Sequence, residues 1–359
     1  MKIQCSSCMK IYNIPDKRLK FDEKVSFPCP ACKAIINIDL RSRTTPSLPK
    51  PAGTESQEVQ DTVGSTQGES SELDLPRGEV LQKLILRRLT ELPPMPQVMF
   101  KAREVMNDPA SSFKALADIL ETDQAMATRV LRLSNSAYYG LAGKVSSVQH
   151  ASVLLGYKTV GEIVSMAGSS SLLGNSLEGY QLDSGDLWRH SLAVAFASRL
   201  IAEKAQPEFE NDAFSAGLIH DAGKLVLDRY IYERKEMFQD FMSEGPKTFL
   251  DAEKEILGFD HSEIASEICK SWKIPKSLTT AICYHHYPSR SSENTLVYIV
   301  HVADALALMS GIGTGIDGML YRMDEKAMEF LGLREEDLST IIDETVESVE
   351  KIAEQMKGS

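Results

Sequence analysis

The stretch from about residue 41 to residue 78 decides how this chain can be organised. It opens Arg-Ser-Arg-Thr-Thr-Pro and closes Leu-Asp-Leu-Pro-Arg-Gly. It is rich in Ser, Thr, Gln, Glu, Gly and Pro and contains no aromatic residue. Such a segment cannot bury enough apolar surface to offset the entropy lost on ordering, so a disordered linker is expected. As a flexible coil its ends would stand roughly 30–40 Å apart. A chain of 359 residues with this tether inside it is expected to form two separate units, residues 1–40 and the long remainder from Glu79.

The first unit is too small to hold a fold on its apolar residues alone, and four of the six cysteines lie in it. Cys5-x-x-Cys8 and Cys29-x-x-Cys32 are two thiol knuckles, and a two-residue gap lets each present both sulfurs to one tetrahedral ion. Short β-prone pieces surround them: Lys10–Ile14, Lys24–Phe27 and Ala34–Ile38. The layout points to a β zinc ribbon with structural zinc coupled to folding. A redox dithiol pair or an iron–sulfur site is the alternative. With four cysteine ligands the ion has no open position for catalysis. The segment resembles the short zinc ribbon that opens many bacterial regulatory proteins.

Charge argues against nucleic acid as this unit's main partner. Lys2, Lys10, Lys17, Arg18, Lys20, Lys24 and Lys33 outnumber Asp16, Asp22, Glu23 and Asp39 by three. One zinc with four thiolates carries about two negative charges, which nearly removes that surplus. A protein-contact or structural role is favoured, with nucleic-acid binding as the weaker reading. The whole chain carries a formal charge of −12, which does not suit a polyanion-seeking protein.

No targeting segment is legible in Met-Lys-Ile-Gln-Cys, which lacks an apolar core region and a small-residue cleavage site. The apolar run Leu296–Met309 carries His301 and Asp304 and falls short of the ~20 residues that span a bilayer. A cytoplasmic protein without a membrane partner is expected. A reducing compartment also suits cysteines in metal spacing, with Cys269 and Cys283 scattered.

From Glu79 onward the apolar period is helical. Leu116, Ile119 and Leu120 share one face; Asp123 stands where it would cap a helix whose face is Met126, Val130 and Leu133. Val148, Ala151 and Leu155 form another stripe, closed by Gly156, and Val160, Ile163, Val164 and Ala167 follow. Asn135-Ser136 with Tyr138-Tyr139-Gly140 reads as a helix terminus rather than a ligand surface. Residues 324–359 form a helical extension whose stripe Leu338, Ile341, Thr345, Val349 and Ile352 is expected to pack on its own domain rather than on a partner. Methionines are read as core filling. Period-two strand patterns are nearly absent, so the large unit is expected to be all helical.

Six of the seven histidines lie beyond residue 185. Their order is His190, His220-Asp221, His261, His285-His286 and His301, with Asp304 three residues on. Imidazole with carboxylate suits Mn2+, Fe2+, Zn2+ or Mg2+. An aspartate between two ions can bridge them, and two ions ~4 Å apart can activate a water for attack on phosphorus. Lys224 can hold a phosphate oxygen as a point charge.

The order His190, His220-Asp221, Asp304 resembles the metal ligands of the HD phosphohydrolase superfamily. His261, His285 and His286 are similar to the extra histidines of its two-metal members, and Lys224 to the lysine of the His-Asp-x-Gly-Lys signature. The resemblance implies that these residues are candidate metal ligands, with Asp221 and Lys224 as candidate catalytic groups. His150 and His301 match no ligand position and are read as structural or exposed.

A second set of motifs narrows the resemblance. Leu92-Pro-Pro-Met-Pro96, Asp123, Val130-Leu-Arg-Leu-Ser-Asn-Ser-Ala-Tyr-Tyr-Gly140, Ala151–Gly156, Gly258-Phe-Asp-His261 and Trp272-Lys-Ile-Pro275 together resemble the HDOD domain, the HD-related output domain of bacterial signalling. It runs from about Leu81 to at least Ala307. The domain is expected over residues 79–323, as a helical part 79–185 and an HD-like part 186–323. The cyclic-di-GMP phosphodiesterase branch would carry a longer Gly-rich motif ending Gly-Tyr-Pro; here Tyr287-Pro288 follows the histidine pair at once.

The resemblance implies a regulatory protein with a protein partner in signalling. A metal-dependent phosphohydrolase acting on a nucleotide or other phosphate ester is the alternative, and nucleic-acid binding through the ribbon comes third.

Overall fold

The computed structural model describes residues 75–88, 97–108, 110–141, 143–243, 245, 247–316 and 323–356, and the backbone of four short strands before residue 40. The chain divides into two units, Met1–Ser70 and Ser71–Ser359.

In the first unit β1 (Lys2–Gln4) pairs antiparallel with β2 (Ile11–Asn13), Lys2 opposite Asn13. β3 (Lys24–Pro28) pairs antiparallel with β4 (Ile35–Asp39), Lys24 opposite Asp39. β1 has no counterpart in the sequence expectation. Cys5, Cys8, Cys29 and Cys32, and with them the expected zinc site, lie outside the described residues, as does most of the expected linker.

The second unit is helical. Among its described residues there is no strand, only an isolated antiparallel bridge between Leu177 and Leu182. Its first half holds α1 (Gly78–Arg88), α2 (Gln97–Asn107), α3 (Phe113–Leu120), α4 (Gln124–Ser134) and α5 (Val148–Leu173). Next come α6 (Asp186–Ala205), α7 (Glu210–Ile219), α8 (Lys224–Tyr232), α9 (Lys235–Ser243) and α10 (Phe249–Ala252), which runs into a π-helical turn, Glu253–Leu257. The chain continues with α11 (His261–Ser271), α12 (Lys276–Tyr284), α13 (Thr295–Ser310), α14 (Ala327–Leu331) and α15 (Glu335–Met356). Arg234 donates from Nη2 to the Pro76 carbonyl at 2.9 Å, so this unit takes up the chain a few residues ahead of Glu79.

Helix starts follow the local chemistry of the sequence. Ser112, Asp123, Ser147, Asp260 and Asn294 each accept a first-turn backbone N–H of α3, α4, α5, α11 and α13, at 2.9–3.2 Å. Thr248 and Asp251 form a reciprocal capping box on α10. Gly156 sits at φ 78, ψ 167 and breaks α5 into two helical stretches. That backbone region is essentially closed to residues with a Cβ. Asn135 ends α4 and holds the loop that follows. Its Nδ2 donates to the Leu131 and Val145 carbonyls at 2.8 and 2.9 Å, and its Oδ1 accepts the Val145 N–H at 2.8 Å.

The core lies where α6, α7 and α13 meet. His190–Ser198 of α6 and Leu296–Asp304 of α13 are buried on every side, the mark of helices that run through a core rather than over it. α15 packs on α6, α13 and α4 through Ile341, Thr345, Val349 and Ile352. Among the described residues no helix is long and apolar enough to cross a membrane.

Replacing Asn135 leaves the Val145 N–H and carbonyl without their partner in a half-buried place. Asn135→Ala should lower the unfolding free energy by about 1–3 kcal/mol, read by urea denaturation. An unchanged midpoint would contradict the role given to this side chain.

Candidate metal centre

Helix ends bring the sequence-separated histidines together. His190 comes from the first turns of α6 and Asp304 from the middle of α13. His220 and Asp221 follow the last turn of α7, and the chain turns at once into α8, whose first residue is Lys224. His261 opens α11, and His285-His286 follow α12. The turn between Asp221 and Lys224 is held against α11: a Cβ on Gly223 would lie 1.9 Å from the His261 carbonyl oxygen. Only glycine lets the His-Asp turn come this close to the helix carrying the third histidine.

All seven expected ligands converge. His190 Nε2 stands 3.1 Å from Asp304 Oδ1 and 3.7 Å from Asp221 Oδ2. His220 Nε2 is 3.4 Å from Asp221 Oδ2 and 3.7 Å from Asp304 Oδ1. His261 Nε2 is 3.2 Å from Asp221 Oδ1 and 2.8 Å from His286 Nε2. The rings of His220 and His285 meet edge to face at 5.0 Å. Lys224 Nζ lies 2.7 Å from Asp221 Oδ2. His190, His220, Asp221, His261, His285 and Asp304 are at most 5% exposed, and the His286 side chain is equally closed off.

His220 and His285 present lone pairs to the centre. His220 Nδ1–H donates to the Gly217 carbonyl at 2.7 Å and His285 Nδ1–H to the Ile282 carbonyl at 2.7 Å. Each partner is a carbonyl three residues back in the last turn of the preceding helix, one of the acceptors that a helix C-terminus leaves open. A carbonyl only accepts, so Nδ1 carries the proton and Nε2 of the neutral ring does not. His220 Nε2 and His285 Nε2 are buried without a hydrogen-bond partner. His261 is held the same way, with Nδ1 donating to the Glu253 carboxylate at 2.8 Å.

Three overlapping donor sets can each hold an ion: Asp221 with His261, His285 and His286; His190 with His220 and Asp221; and His220 with His285 and Asp304. Within each set the donor atoms lie within 4.8 Å of one another. Ligands about 2.1 Å from one ion stand roughly 3 Å apart, the spacing seen between His261 Nε2 and its neighbours. The residues therefore fit a divalent cation, and imidazole with carboxylate suits Mn2+, Fe2+ or Zn2+.

Charge supports the same fit. Asp221, Asp304 and Glu253 are buried beside one buried ammonium, Lys224, which leaves two negative charges if every imidazole is neutral. Burial works against ionised Asp221, but His220, Lys224 and His261 outweigh it and hold its carboxyl well below the usual range. Burial likewise opposes ionised Asp304, and His190 and His220 outweigh it. Burial also opposes protonation of His261 and His220. Glu253 and Asp221 nonetheless raise His261 well above its ordinary value, and Asp221 with Asp304 raises His220. Burial, then the neighbouring His220, pushes His285 down to about 3, and burial with His285 and His261 lowers His286. His220 and His261, raised by their carboxylate neighbours, are the rings that favour a proton against these two charges, and a divalent ion would supply the same balance.

Two residues of this centre carry no signal in the sequence. Glu253, fully buried, accepts from His261 and from the Tyr180 hydroxyl at 2.7 Å. Its surroundings, Asp251-Ala-Glu-Lys-Glu, read as a solvated helix face, and Tyr180 lies in a turn far upstream. Of the two histidines outside the ligand order, His150 is exposed on α5. His301 is buried; its Nδ1–H donates to the His285 carbonyl at 2.6 Å and its Nε2 accepts the Asp324 N–H at 2.8 Å.

The second unit is thus a mainly helical domain with a buried cluster of five histidines and two aspartates. The chain belongs to the HDOD domain family, whose model matches residues 92–288. Its fold is similar to an HDOD domain protein of unknown function from Geobacter sulfurreducens, at 24% identity and TM-score 0.62, covering 76% of this chain and 97% of that one. It is also similar to a putative phosphohydrolase from Shewanella amazonensis, at 23% identity and TM-score 0.59, over 76% and 97% of the two chains. A putative signal transduction protein from Marinobacter aquaeolei matches at 22% identity and TM-score 0.60, over 77% of this chain and 65% of its own. An uncharacterized protein of Treponema pallidum is 22% identical over 62% of this chain, and the match spans 42% of that protein's length.

Metal binding should therefore release protons. The raised His220 and His261 keep their protons at pH values where a free imidazole has lost its own, so the ion must displace them. Mn2+ affinity should rise with pH through the range in which free imidazole is already neutral, with proton release greatest at the acid end, about two per ion, and falling as the pH passes the raised values of the two rings. Calorimetric titration in buffers of different ionisation enthalpy measures this. An affinity that stays flat across that range would contradict the charge assignment.

Proposed function

We propose that this chain is a bacterial signal-transduction protein whose HDOD domain serves as an output or protein-interaction module. In this reading the His/Asp centre binds a divalent cation that fixes the domain's shape rather than turning over a substrate. The observation behind it is the closure of the centre: the ligand set is complete, yet each expected ligand side chain is at most 7% exposed. Two surface cavities of about 370 and 290 Å³ are lined by none of the seven. A nucleotide-sized phosphate ester needs an opening onto the metal, and a structural or regulatory ion does not. On their spacing, Cys5, Cys8, Cys29 and Cys32 are proposed to hold one zinc in an accessory contact module, with a cytoplasmic location.

A metal-dependent phosphohydrolase is the second reading, favoured by Lys224, whose ammonium stands 2.7 Å from Asp221 among the ligands. A divalent ion there would polarise a bound water. Asp221 would orient the site, and Lys224 would hold a phosphate oxygen. The name of the Shewanella amazonensis relative agrees with this reading, and that of the Marinobacter aquaeolei relative with the first.

Metal analysis with a hydrolysis assay separates the two. In full-length protein with all four ribbon cysteines changed to serine, the remaining metal reports the His/Asp centre. About one or two ions per chain are expected, falling to none in the same protein carrying His220→Ala and Asp221→Ala. The first reading expects no turnover of bis(4-nitrophenyl) phosphate with saturating Mn2+. Turnover that the double substitution abolishes would favour the hydrolase, and a metal-free parent would sink both readings of the centre.

A further inference from the structure

Glu253 is the least expected charge in the domain. It is 0% exposed and opens the π-helical turn Glu253–Leu257. Burying a carboxylate is costly unless its oxygens are met by donors. Here Oε2 accepts the His261 backbone N–H at 2.9 Å and the ring Nδ1–H at 2.8 Å, and Oε1 accepts the Tyr180 hydroxyl at 2.7 Å. One carboxylate thus holds the main chain and the ring of a single histidine. A carboxylate on the far nitrogen of a ligating imidazole fixes its tautomer and orientation and raises its basicity.

Tyr180 carries the connection outward. Its ring is buried, 5.5 Å from Phe249 and edge-on to His261 at 6.4 Å. It sits in the turn closed by Leu177 and Leu182, which exchange both backbone hydrogen bonds at 2.9 Å. Gly179 N–H donates to Asp228 Oδ1 of α8 at 2.7 Å, and the Tyr180 carbonyl accepts the Ile316 N–H at 2.9 Å. Glu178 and Gln181 of this turn are exposed. The turn is therefore tied to α8, the helix that starts at Lys224, and to the segment after α13, the helix that carries Asp304. A line of hydrogen bonds runs from the buried ligand His261 through Glu253 and the Tyr180 hydroxyl to a surface turn.

We propose that Glu253 and Tyr180 are positioning residues of the metal centre: Glu253 sets His261 as a ligand, and Tyr180 couples occupancy of the centre to the order of the Leu177–Leu182 turn. This deepens the regulatory reading of the centre and rests on its binding metal. An ion held by His261 Nε2 would add to the restraint that Glu253 already places on the ring, and the same carboxylate holds the hydroxyl of a residue whose main chain belongs to the turn. A partner reading that turn would sense the ion without touching it.

The test uses the full-length chain and Mn2+ alone, in the wild type and in Glu253→Gln and Tyr180→Phe. Glu253→Gln keeps the shape and loses the charge; Mn2+ affinity should fall about 10–100-fold. Tyr180→Phe keeps the ring packing and loses one donor, and should weaken Mn2+ by less than tenfold. In the wild type, Mn2+ should slow hydrogen exchange of the amides from 177 to 182, and Tyr180→Phe should remove that response. A residue needed only for folding would lower the melting temperature of the metal-free protein and leave the exchange response to Mn2+ intact.

Wild type that binds no Mn2+ would overturn the metal reading itself. Wild type that binds Mn2+ while Glu253→Gln binds equally well, or while the turn does not respond, would overturn this proposal alone. If Glu253→Gln fails to fold, the exchange response of Tyr180→Phe decides the question.

Discussion

The structure depends on a concentration of negative charge placed where apolar helices meet. Asp221, Asp304 and Glu253 lie at most 5% exposed, with Lys224 as the buried ammonium among them. Three carboxylates and one ammonium cannot stand in a low-dielectric interior without further positive charge. That charge must come as protons on imidazole or as a metal ion. His220 and His261, whose rings are already held by outer partners, are suited to supply either. The domain is thus arranged around a requirement for cations, and its helices are placed so that their ends meet it.

Helix termini do this work because they carry both chain direction and unpaired carbonyls. α7 and α12 each end immediately before a histidine, and each histidine folds its ring back to the carbonyl three residues earlier. The same local device therefore appears twice and aims two Nε2 atoms at one point. α1–α5 contribute no ligand; they are fastened to this frame elsewhere. Arg199 of α6 pairs with Glu162 of α5 at 3.1 Å and with the Tyr138 hydroxyl from the loop after α4, and stands over the rings of Phe196 and Phe214. Burial opposes ionised Glu162 and raises it despite the arginine, so the pair fixes how the halves meet more than it adds stability. Tyr138, through Arg199 and the Phe196 ring, is accordingly a joint between the halves.

What could be read from the sequence was local or carried by residue order. Asp123 as a cap, Gly156 as a break in α5, Asn135 as a helix terminus and the stripe of α15 all follow from chemistry within one or two turns. The convergence of His190, His220, Asp221, His261, His285, His286 and Asp304 was legible because their order resembles the metal ligands of the HD phosphohydrolase superfamily. Glu253 and Tyr180 were illegible for the opposite reason. A glutamate among other charges on a helix looks solvated, and only the packing of the π turn against α11 buries it. Tyr180 reaches its partner across 73 residues of sequence, a separation no periodicity encodes. Arg199 likewise carries no signal in the sequence, because Glu162 and Tyr138 meet it only through the packing of α5 and the loop after α4.

The regulatory interpretation turns on how the same ligands are enclosed. A hydrolytic centre and a structural one can share every ligand, since both need lone pairs and carboxylates around an ion. They differ in whether a coordination position faces a space that a substrate can enter. In this domain the seven side chains face one another, and the outer partners of His220, His285 and His261 are two backbone carbonyls and one buried carboxylate. Such an outer layer resists ring movement, which suits an ion that holds a shape. From His261 the outer partner leads on through the Glu253–Tyr180 bond, which ends at a turn with exposed side chains. In the regulatory reading the domain would need a stable interior and a route by which the interior bears on the surface, and the Glu253–Tyr180 bond is such a route.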